Sequence, residues 1–263
     1  MLPMTPSEAA ELRRRIDHAI ASLPLGEDGL LGAPVHIPGL FAPEARAFQP
    51  EAFAQRIAEQ RRVALAHPAL GYGNVWYQGE TSYHAWFEDE VERIGERSPQ
   101  SFAATTTLPL PAWAIAAQER LLERLYRGAF GWSVELFWTD AAGASIGAHA
   151  DNDDVYTVQV LGRKHWRVDP VNLPRLRALE AAGVLQREGP HDAWHAPPDA
   201  DPEFLSPLDV VLEPGDLFAI PAFALHRVEA LADNPRSLAF NASICQEQVY
   251  ERWTGDSAGL PMR

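Results

Sequence analysis

The chain has 263 residues, of which 46% are hydrophobic, and carries a formal net charge of −14 with an isoelectric point of about 5.0. This composition predicts one substantial hydrophobic core rather than a disordered chain, and the acidic balance disfavours nucleic acid and anionic membranes as partners. The one cysteine, Cys245, excludes an internal disulfide, and no apolar run approaches the ~20 residues of a membrane span, so a cytoplasmic location is expected.

Three segments have the pattern of amphipathic helices. The first follows the capping signature at residues 5–8, the second covers residues 50–66, and the third covers residues 111–127, with a glycine at its end. Their apolar faces are formed by Leu12, Ile16, Ala19 and Ile20; by Phe53, Ile57, Ala58 and Ala64; and by Leu121, Leu122 and Leu125. These helices predict a helical N-terminal region over residues 1–128.

An aromatic-rich segment lies between the second and third predicted helices, at residues 72–88. Its rings alternate with glycine and polar residues, which favours an irregular segment packed on the core. A second interpretation is that some of these rings line a pocket.

Short segments with strand composition dominate the second half of the chain and are separated by turn residues such as Pro214-Gly215-Asp216. They cover residues 132–138, 155–161, 165–168, 208–212, 217–220, 225–231 and 237–244. A long interruption at residues 170–207 contains a helix-like stretch at 173–183. The pattern predicts a β-barrel or sandwich over residues 129–263, with the N-terminal region packed on it as part of a single structural domain.

A metal site is indicated by Gly147-Ala148-His149-Ala150-Asp151. On a strand, residues two apart point the same way, so His149 and Asp151 can aim an imidazole and a carboxylate at one point. His226, at the end of a later apolar stretch, is the best candidate for a third ligand. Two imidazoles and one carboxylate form the facial triad of non-haem iron(II) oxygenases, which leaves coordination positions for an oxo-acid and dioxygen.

His-x-Asp occurs by chance on protein surfaces, so the strand context carries the prediction. Residues 149–168 and the later stretch 212–226 together resemble the JmjC-type oxygenases. The likeness is closest to the ribosomal-protein hydroxylases and to the cupin-like hydroxylases related to factor-inhibiting-HIF asparaginyl hydroxylase. It covers roughly residues 130–246 and implies a double-stranded β-helix, the jelly-roll or cupin-like barrel, that uses iron(II) and 2-oxoglutarate.

The resemblance also implies residues that bind 2-oxoglutarate. Lys164 occupies the position of the basic residue that pairs with the distal carboxylate, and a dianionic cosubstrate needs such a cation. The alternative is that Lys164 is only a charge in a hairpin turn. Asn241 matches a polar amide near the iron and the oxo-acid, and Arg236, in a turn, is a second candidate cation. Where the family often has a hydroxyl residue, Ile146 stands three positions before His149; Ser145 and Thr139 are the nearby hydroxyl candidates.

Several other residues have two interpretations each. His165 is predicted to be structural. His191, Trp194 and His195 belong either to a solvated loop with an aromatic anchor or to a lid over the substrate. Two strand aromatics, Trp138 and Tyr156, are either core residues or pocket residues.

The activity implied is hydroxylation of an unactivated carbon, with release of succinate and carbon dioxide. The resemblance favours a peptide, a protein side chain or an amino-acid-like compound as substrate. A monomer or weak homodimer is expected. Two alternatives stay open: a non-catalytic cupin-like binding barrel, and a different metal-dependent cupin enzyme. Such enzymes usually present His-x-His, so His149-Ala150-Asp151 disfavours the second alternative.

Overall fold

The computed structural model describes most of the chain's barrel strands and the helices that pack on them. The described residues are 4–27, 29–52, 73–77, 80–82, 101–105, 111–125, 131–139, 147–187, 193–197, 200–233 and 236–245. Within these ranges, none of the helices combines the length and the apolar character that crossing a bilayer requires.

The first helix, α1, spans Pro6–Ala21 and begins at the predicted capping signature. The Thr5 hydroxyl accepts from the Glu8 backbone N–H, and the Glu8 carboxylate accepts from the Thr5 backbone N–H at 2.8 Å, which satisfies two N–H groups that the first turn leaves without helical partners. The buried residues of α1 are the four of the predicted apolar face, Leu12, Ile16, Ala19 and Ile20. The prediction for this helix is therefore confirmed.

The helix predicted at 111–127 is also confirmed, as α3, which spans Ala112–Leu125. (The short helix α2 spans Ala42–Arg46.) The packing of α3 against α1 includes an ion pair between Arg120 and Asp17 at 2.6 Å. Most of the helix predicted at 50–66 lies outside the described residues.

The strands form two antiparallel sheets, as a double-stranded β-helix requires, and the predicted fold class is confirmed. The larger sheet has the order β1-β11-β7-β13-β5-β4-β2-β3, and the smaller sheet the order β10-β8-β12-β6-β9. The strands are β1 Val35–Ile37, β2 Gly73–Tyr77, β3 Glu80–Ser82, β4 Ser101–Thr105, β5 Gly131–Thr139, β6 His149–Ala150, β7 Asp154–Leu161, β8 Lys164–Val168, β9 Trp194–His195, β10 Leu208–Leu212, β11 Leu217–Ile220, β12 His226–Ala230 and β13 Ser237–Cys245.

The N-terminal region contains strands as well as the predicted helices. Strands β1 to β4 all precede residue 129 and extend the larger sheet at both ends. Two of them, β2 and β3, lie in the aromatic-rich segment that was expected to be irregular. The pairing of β4 with β5 continues the sheet across the expected boundary between residues 128 and 129. The division into two regions stays a prediction.

The larger sheet has one face on the helices and the other face on the smaller sheet. On β7 and β13, alternate residues such as Val158 and Phe240 pack in the same hydrophobic cluster as α1 and α3. The residues between them, including Thr157 and Asn241, therefore point toward the inside of the barrel. A second cluster, made by Trp166, Val168, Leu212, Phe218, Ile220 and Ala224, fills the space between the sheets.

Two buried carboxylates attach the segment after α1 to the barrel. Asp154, at the start of β7, accepts from the Leu31 backbone N–H at 3.0 Å. Asp216, just before β11, accepts from the Gly39 backbone N–H at 2.8 Å and lies 2.7 Å from Nε2 of His36. Hydrogen bonds to charged groups are among the stronger ones in proteins. These contacts hold β1 in register beside β11.

The long interruption between β8 and β10 carries helix α4, Leu173–Ala181, and strand β9. The helix predicted at 173–183 is therefore confirmed. Asp169, which is buried at the end of β8, pairs with Arg175 and accepts from the backbone N–H groups of Leu205 and Ser206. The two ends of the insertion are thus fastened at one carboxylate.

Candidate metal centre

Three side chains converge where β6 and β12 meet, as the sequence analysis expected of them. The two strands pair with His149 directly opposite His226, and Asp151 follows β6 immediately. The Oδ2 atom of Asp151 lies 3.9 Å from Nε2 of His149 and 3.7 Å from Nε2 of His226. One ligand atom from each residue lies within 4.8 Å of the others.

Both imidazoles are oriented by their own backbones. Nδ1 of His149 lies 3.1 Å from the Gly147 carbonyl oxygen, and Nδ1 of His226 lies 2.9 Å from the Ala224 carbonyl oxygen. Because a carbonyl oxygen only accepts, each Nδ1 carries the proton and donates it. In the neutral ring, Nε2 then carries the lone pair and faces Asp151, which is the arrangement seen in metal-binding histidines.

The electrostatics keep the His149 imidazole neutral. Burial first, and the neighbouring His226 ring second, lower the pKa of His149 to about 3 against the opposing effect of Asp151. A neutral imidazole is the form that binds a metal ion without first losing a proton. His149 and His226 are buried, whereas Asp151 is partly exposed, so the site is open on the carboxylate side.

These three donors fit a divalent transition metal. Two ligand atoms at ~2.1 Å from one ion and at right angles lie ~3 Å apart. The separations of 3.7 and 3.9 Å therefore call for a contraction of less than ~1 Å, which small side-chain rotations supply. Two nitrogens and one carboxylate oxygen match the donor set of non-haem iron(II) sites, which leave coordination positions open.

A backbone feature beside the ligands was not visible in the sequence. Phe223, in the turn between β11 and β12, has a φ of 65°, which is rare for a residue other than glycine. Its N–H donates to the Asp151 carbonyl oxygen at 2.7 Å, and the neighbouring Ala222 N–H donates to the Asp154 carboxylate at 2.9 Å. The turn that leads to His226 is thereby fastened to the segment that carries Asp151.

Lys164 lies on the inner face of the smaller sheet, on the same side of β8 as Trp166. It is 6% exposed, and its Nζ atom lies 5.7 Å from the ring centre of Phe137. Among the described residues no carboxylate lies within ion-pair distance of it, and burial lowers its pKa to about 8. A buried cation without an anion is costly, so this position is suited to an anionic ligand.

Asn241 is also directed into the barrel. The Thr157 hydroxyl on β7 donates to the Asn241 side-chain oxygen at 2.8 Å, and both residues are buried. Asn241 was predicted from the sequence, whereas Thr157 was not. The alternation along β7 was the available signal, because Thr157 and Gln159 occupy the face opposite the apolar one.

The other candidates lie in four different settings. Arg236 is exposed at the start of β13, in contrast to Lys164. Tyr156 and Trp194 belong to hydrophobic clusters, and His165 pairs with Asp209 on the outer face of β8 at 2.9 Å. Ser145, Ile146 and His191, and the side chains of Trp138 and Thr139, lie outside the described residues.

The comparisons with known proteins agree with this geometry. The model of the JmjC domain family matches residues 111–251, which is more than half of the chain. No curated protein sequence matches.

Solved structures of YcfD, a ribosomal oxygenase from Escherichia coli, are similar in fold. The complex with cobalt and succinic acid has 18% identity and a TM-score of 0.50, covering 88% of this chain and 57% of that chain. The complex with cobalt and 2-oxoglutarate has 16% identity and a TM-score of 0.49, with the same coverage of 88% and 57%. The chain thus spans less than two thirds of the length of YcfD.

Proposed function

This chain belongs to the JmjC domain family, and from that premise we propose that it is an iron(II)- and 2-oxoglutarate-dependent oxygenase. The observation that carries the proposal is the convergence of two imidazole nitrogens and one carboxylate oxygen on a single point. His149, Asp151 and His226 would hold the iron. When bound, iron(II) and 2-oxoglutarate supply the oxidising power for inserting one oxygen atom into a C–H bond.

The role of the chain's own residues is to bind and orient. The backbone carbonyls at Gly147 and Ala224 accept from Nδ1 of each ring, which leaves Nε2 as the atom that faces the metal position. Because Asp151 is partly exposed, ligands can approach the metal position from the side where Asp151 lies.

Lys164 is proposed to bind the distal carboxylate of 2-oxoglutarate. Its burial without a described carboxylate partner supports this role over that of a charge in a hairpin turn, which would be solvated. Arg236 is the weaker candidate because it is exposed. The Thr157–Asn241 pair lies on the facing sheet and offers the Asn241 amide N–H group to the same interior.

The substrate class is proposed on the family likeness. We favour a peptide, a protein side chain or an amino-acid-like compound. The similar Escherichia coli structure is described as a ribosomal oxygenase, which supports a protein or peptide. Location in the cytoplasm and a monomeric or weakly dimeric state stay predictions.

The test is an anaerobic titration. Adding iron(II) and then 2-oxoglutarate to the apoprotein should produce a weak visible charge-transfer band, and Asp151→Ala should bind neither ion nor cosubstrate. His165→Ala, which removes a histidine from the outer face of β8, is the matched control and should behave as wild type. Mass spectrometry for a 16 Da gain in candidate peptides, with succinate release, then tests the substrate class.

The outcomes separate the competing functions. Iron binding without the cosubstrate-dependent band would favour a different cupin enzyme. No metal binding, with no succinate formed from any peptide or amino acid, would favour a binding barrel and contradict the proposal.

A further inference from the structure

Four aromatic rings form a column through the candidate metal centre: His195, His149, His226 and Trp166. The rings of His195 and His149 are stacked, with centroids 5.6 Å apart and planes 11° apart. Those of His149 and His226 are 4.0 Å apart, with their planes tilted by 56°. His226 and Trp166 are stacked at 5.8 Å and 19°. Each proposed ligand imidazole is therefore held between the other ligand and one ring that is not a ligand.

The two outer rings of the column come from different parts of the fold. Trp166 belongs to β8 and to the cluster that fills the barrel. His195 belongs to β9, which ends the smaller sheet and lies in the insertion between β8 and β10. One face of the His149 ring therefore lies against His195, a residue of the insertion rather than of the barrel strands.

Strand β9 is held from both sides by backbone hydrogen bonds, and on the β6 side the Ala196 N–H donates to the Ala148 carbonyl oxygen at 2.8 Å. On one side β9 pairs with β6, which places His195 directly opposite His149. On the other side the backbone groups of His195 and Gln186 exchange two hydrogen bonds at 2.8 Å. Cross-strand partners on one face of a sheet lie close enough for their rings to stack. The position of His195 is therefore set by the sheet rather than by its side chain.

Strand β9 is anchored by the residue before His195. Trp194 is 0% exposed, and its indole N–H donates to the Glu180 carboxylate at 3.1 Å. The Arg187 guanidinium lies over the indole at 4.9 Å and pairs with Glu180 at 2.6 Å. The Trp194 ring also meets Phe223 edge-on at 6.0 Å. The insertion and the turn before His226 are thus packed together.

We propose that His195 is a positioning residue of the metal centre, whose ring holds the His149 imidazole in the plane needed for metal binding. Nδ1 of His149 has a hydrogen bond of 3.1 Å to its own backbone, whereas that of His226 is 2.9 Å. That hydrogen bond restrains one edge of the His149 ring, and the stacked His195 ring borders its face. Preorganised ligands bind a metal more tightly because less freedom is lost on binding. The inference rests on the proposed function, since it presumes that His149 is a ligand.

The test compares two substitutions of the same residue in the full-length protein. His195→Ala removes the ring, and His195→Phe keeps a flat ring but removes the nitrogens. Cobalt(II) serves as the probe, with its dissociation constant from calorimetry and its coordination from the visible spectrum. In the apoprotein, the imidazole nitrogen signals of His149 are followed by NMR. His165→Ala is the control for loss of a histidine.

We expect His195→Ala to weaken cobalt(II) binding by about two- to tenfold, the range that one aromatic contact supplies. It should also broaden or shift the His149 ring signals in the apoprotein. His195→Phe should restore both quantities to near the wild-type values, and His165→Ala should leave them unchanged. Circular dichroism and thermal unfolding establish that each variant is folded.

Two results would overturn the inference while leaving the proposed function intact. One is wild-type cobalt(II) affinity together with an unchanged His149 signal in His195→Ala. The other is equal weakening by His195→Phe and His195→Ala, which would assign the effect to the nitrogens of His195 rather than to its ring. Failure of the wild-type protein itself to bind cobalt(II) would refute both the proposed function and this inference.

Discussion

Replacing the buried lysine of the barrel should stabilise the apoprotein. Burial lowers the pKa of Lys164 from 10.5 to about 8. Each unit of such a shift corresponds to about 1.4 kcal/mol, so the charged lysine destabilises the fold by about 3 kcal/mol near neutral pH. Lys164→Met keeps a long unbranched side chain without the charge. We expect its free energy of unfolding at pH 7 to exceed that of wild type by about that amount.

The destabilisation caused by the charged Lys164 should depend on pH. Between pH 8 and 10.5 the unfolded chain binds a proton at residue 164 that the folded protein has largely released. The penalty is therefore fully present below about pH 8 and disappears as the pH rises through 10.5. Urea titrations at a series of pH values should show the advantage of Lys164→Met shrinking over this window. Arg163→Met, on the same turn but partly exposed, is the control and should show no such trend.

Bound 2-oxoglutarate should make wild type more stable than Lys164→Met, the reverse of the order expected for the apoproteins. If Lys164 binds a carboxylate of 2-oxoglutarate, the bound ligand removes the energetic penalty of the buried charge in wild type. Lys164→Met lacks the ammonium group, so it should bind 2-oxoglutarate about 10- to 100-fold more weakly, as expected for the loss of a charge-assisted hydrogen bond. Saturating 2-oxoglutarate with cobalt(II) should then stabilise wild type far more than the variant. Equal stability of the two apoproteins at pH 7, or equal stabilisation by the ligand, would refute the reasoning and direct attention to Arg236.

Two further pairs of substitutions test a tight backbone contact and a buried hydrogen bond. Gly215 has a φ of +100°, and a Cβ there would lie 2.6 Å from backbone atoms of Ala42; Gly215→Ala should therefore lower the urea midpoint by an amount equivalent to about 2–5 kcal/mol. Gly183→Ala, where φ is +73° and nothing lies within 4 Å, should lose only about 1 kcal/mol, and equal losses would contradict the clash. Asn241→Ala and Thr157→Val should each destabilise the fold by about 1–2 kcal/mol, and a double-mutant cycle giving no coupling would contradict their hydrogen bond.

Local patterns explain what the sequence predicted well. The capping signature at Thr5 and Glu8 is a short-range signal, and α1 begins where it indicates. The period of two that relates His149 to Asp151 follows from strand geometry alone, so it needs no knowledge of the rest of the fold. His226 was expected as the third ligand because it lies on a later predicted strand, and the resemblance supported that choice. Its register directly opposite His149 depends on the fold, since the two strands are far apart in sequence.

Features that depend on distant contacts could not be predicted. The positive φ of Phe223 is maintained by its hydrogen bond to Asp151, and no residue type in that turn signals it. Strand β1 is three residues long, and its pairing with β11 depends on Asp216, far along the chain. The aromatic-rich segment read as irregular because its strands, β2 and β3, are short and lack a regular apolar alternation. In each case a tertiary contact decides the local conformation.

The buried carboxylates that hold the early segment on the barrel affect how this protein can be divided for study. A fragment beginning at residue 111, where the family match starts, would contain all three candidate ligands. It would also strip Asp154 and Asp216 of the Leu31 and Gly39 N–H donors and uncover the edge of β11. Exposed sheet edges and unsatisfied buried acids promote aggregation and misfolding. The matched half of the chain is therefore a poor choice for isolated expression, and the smallest useful unit should retain the first helix and everything that follows it.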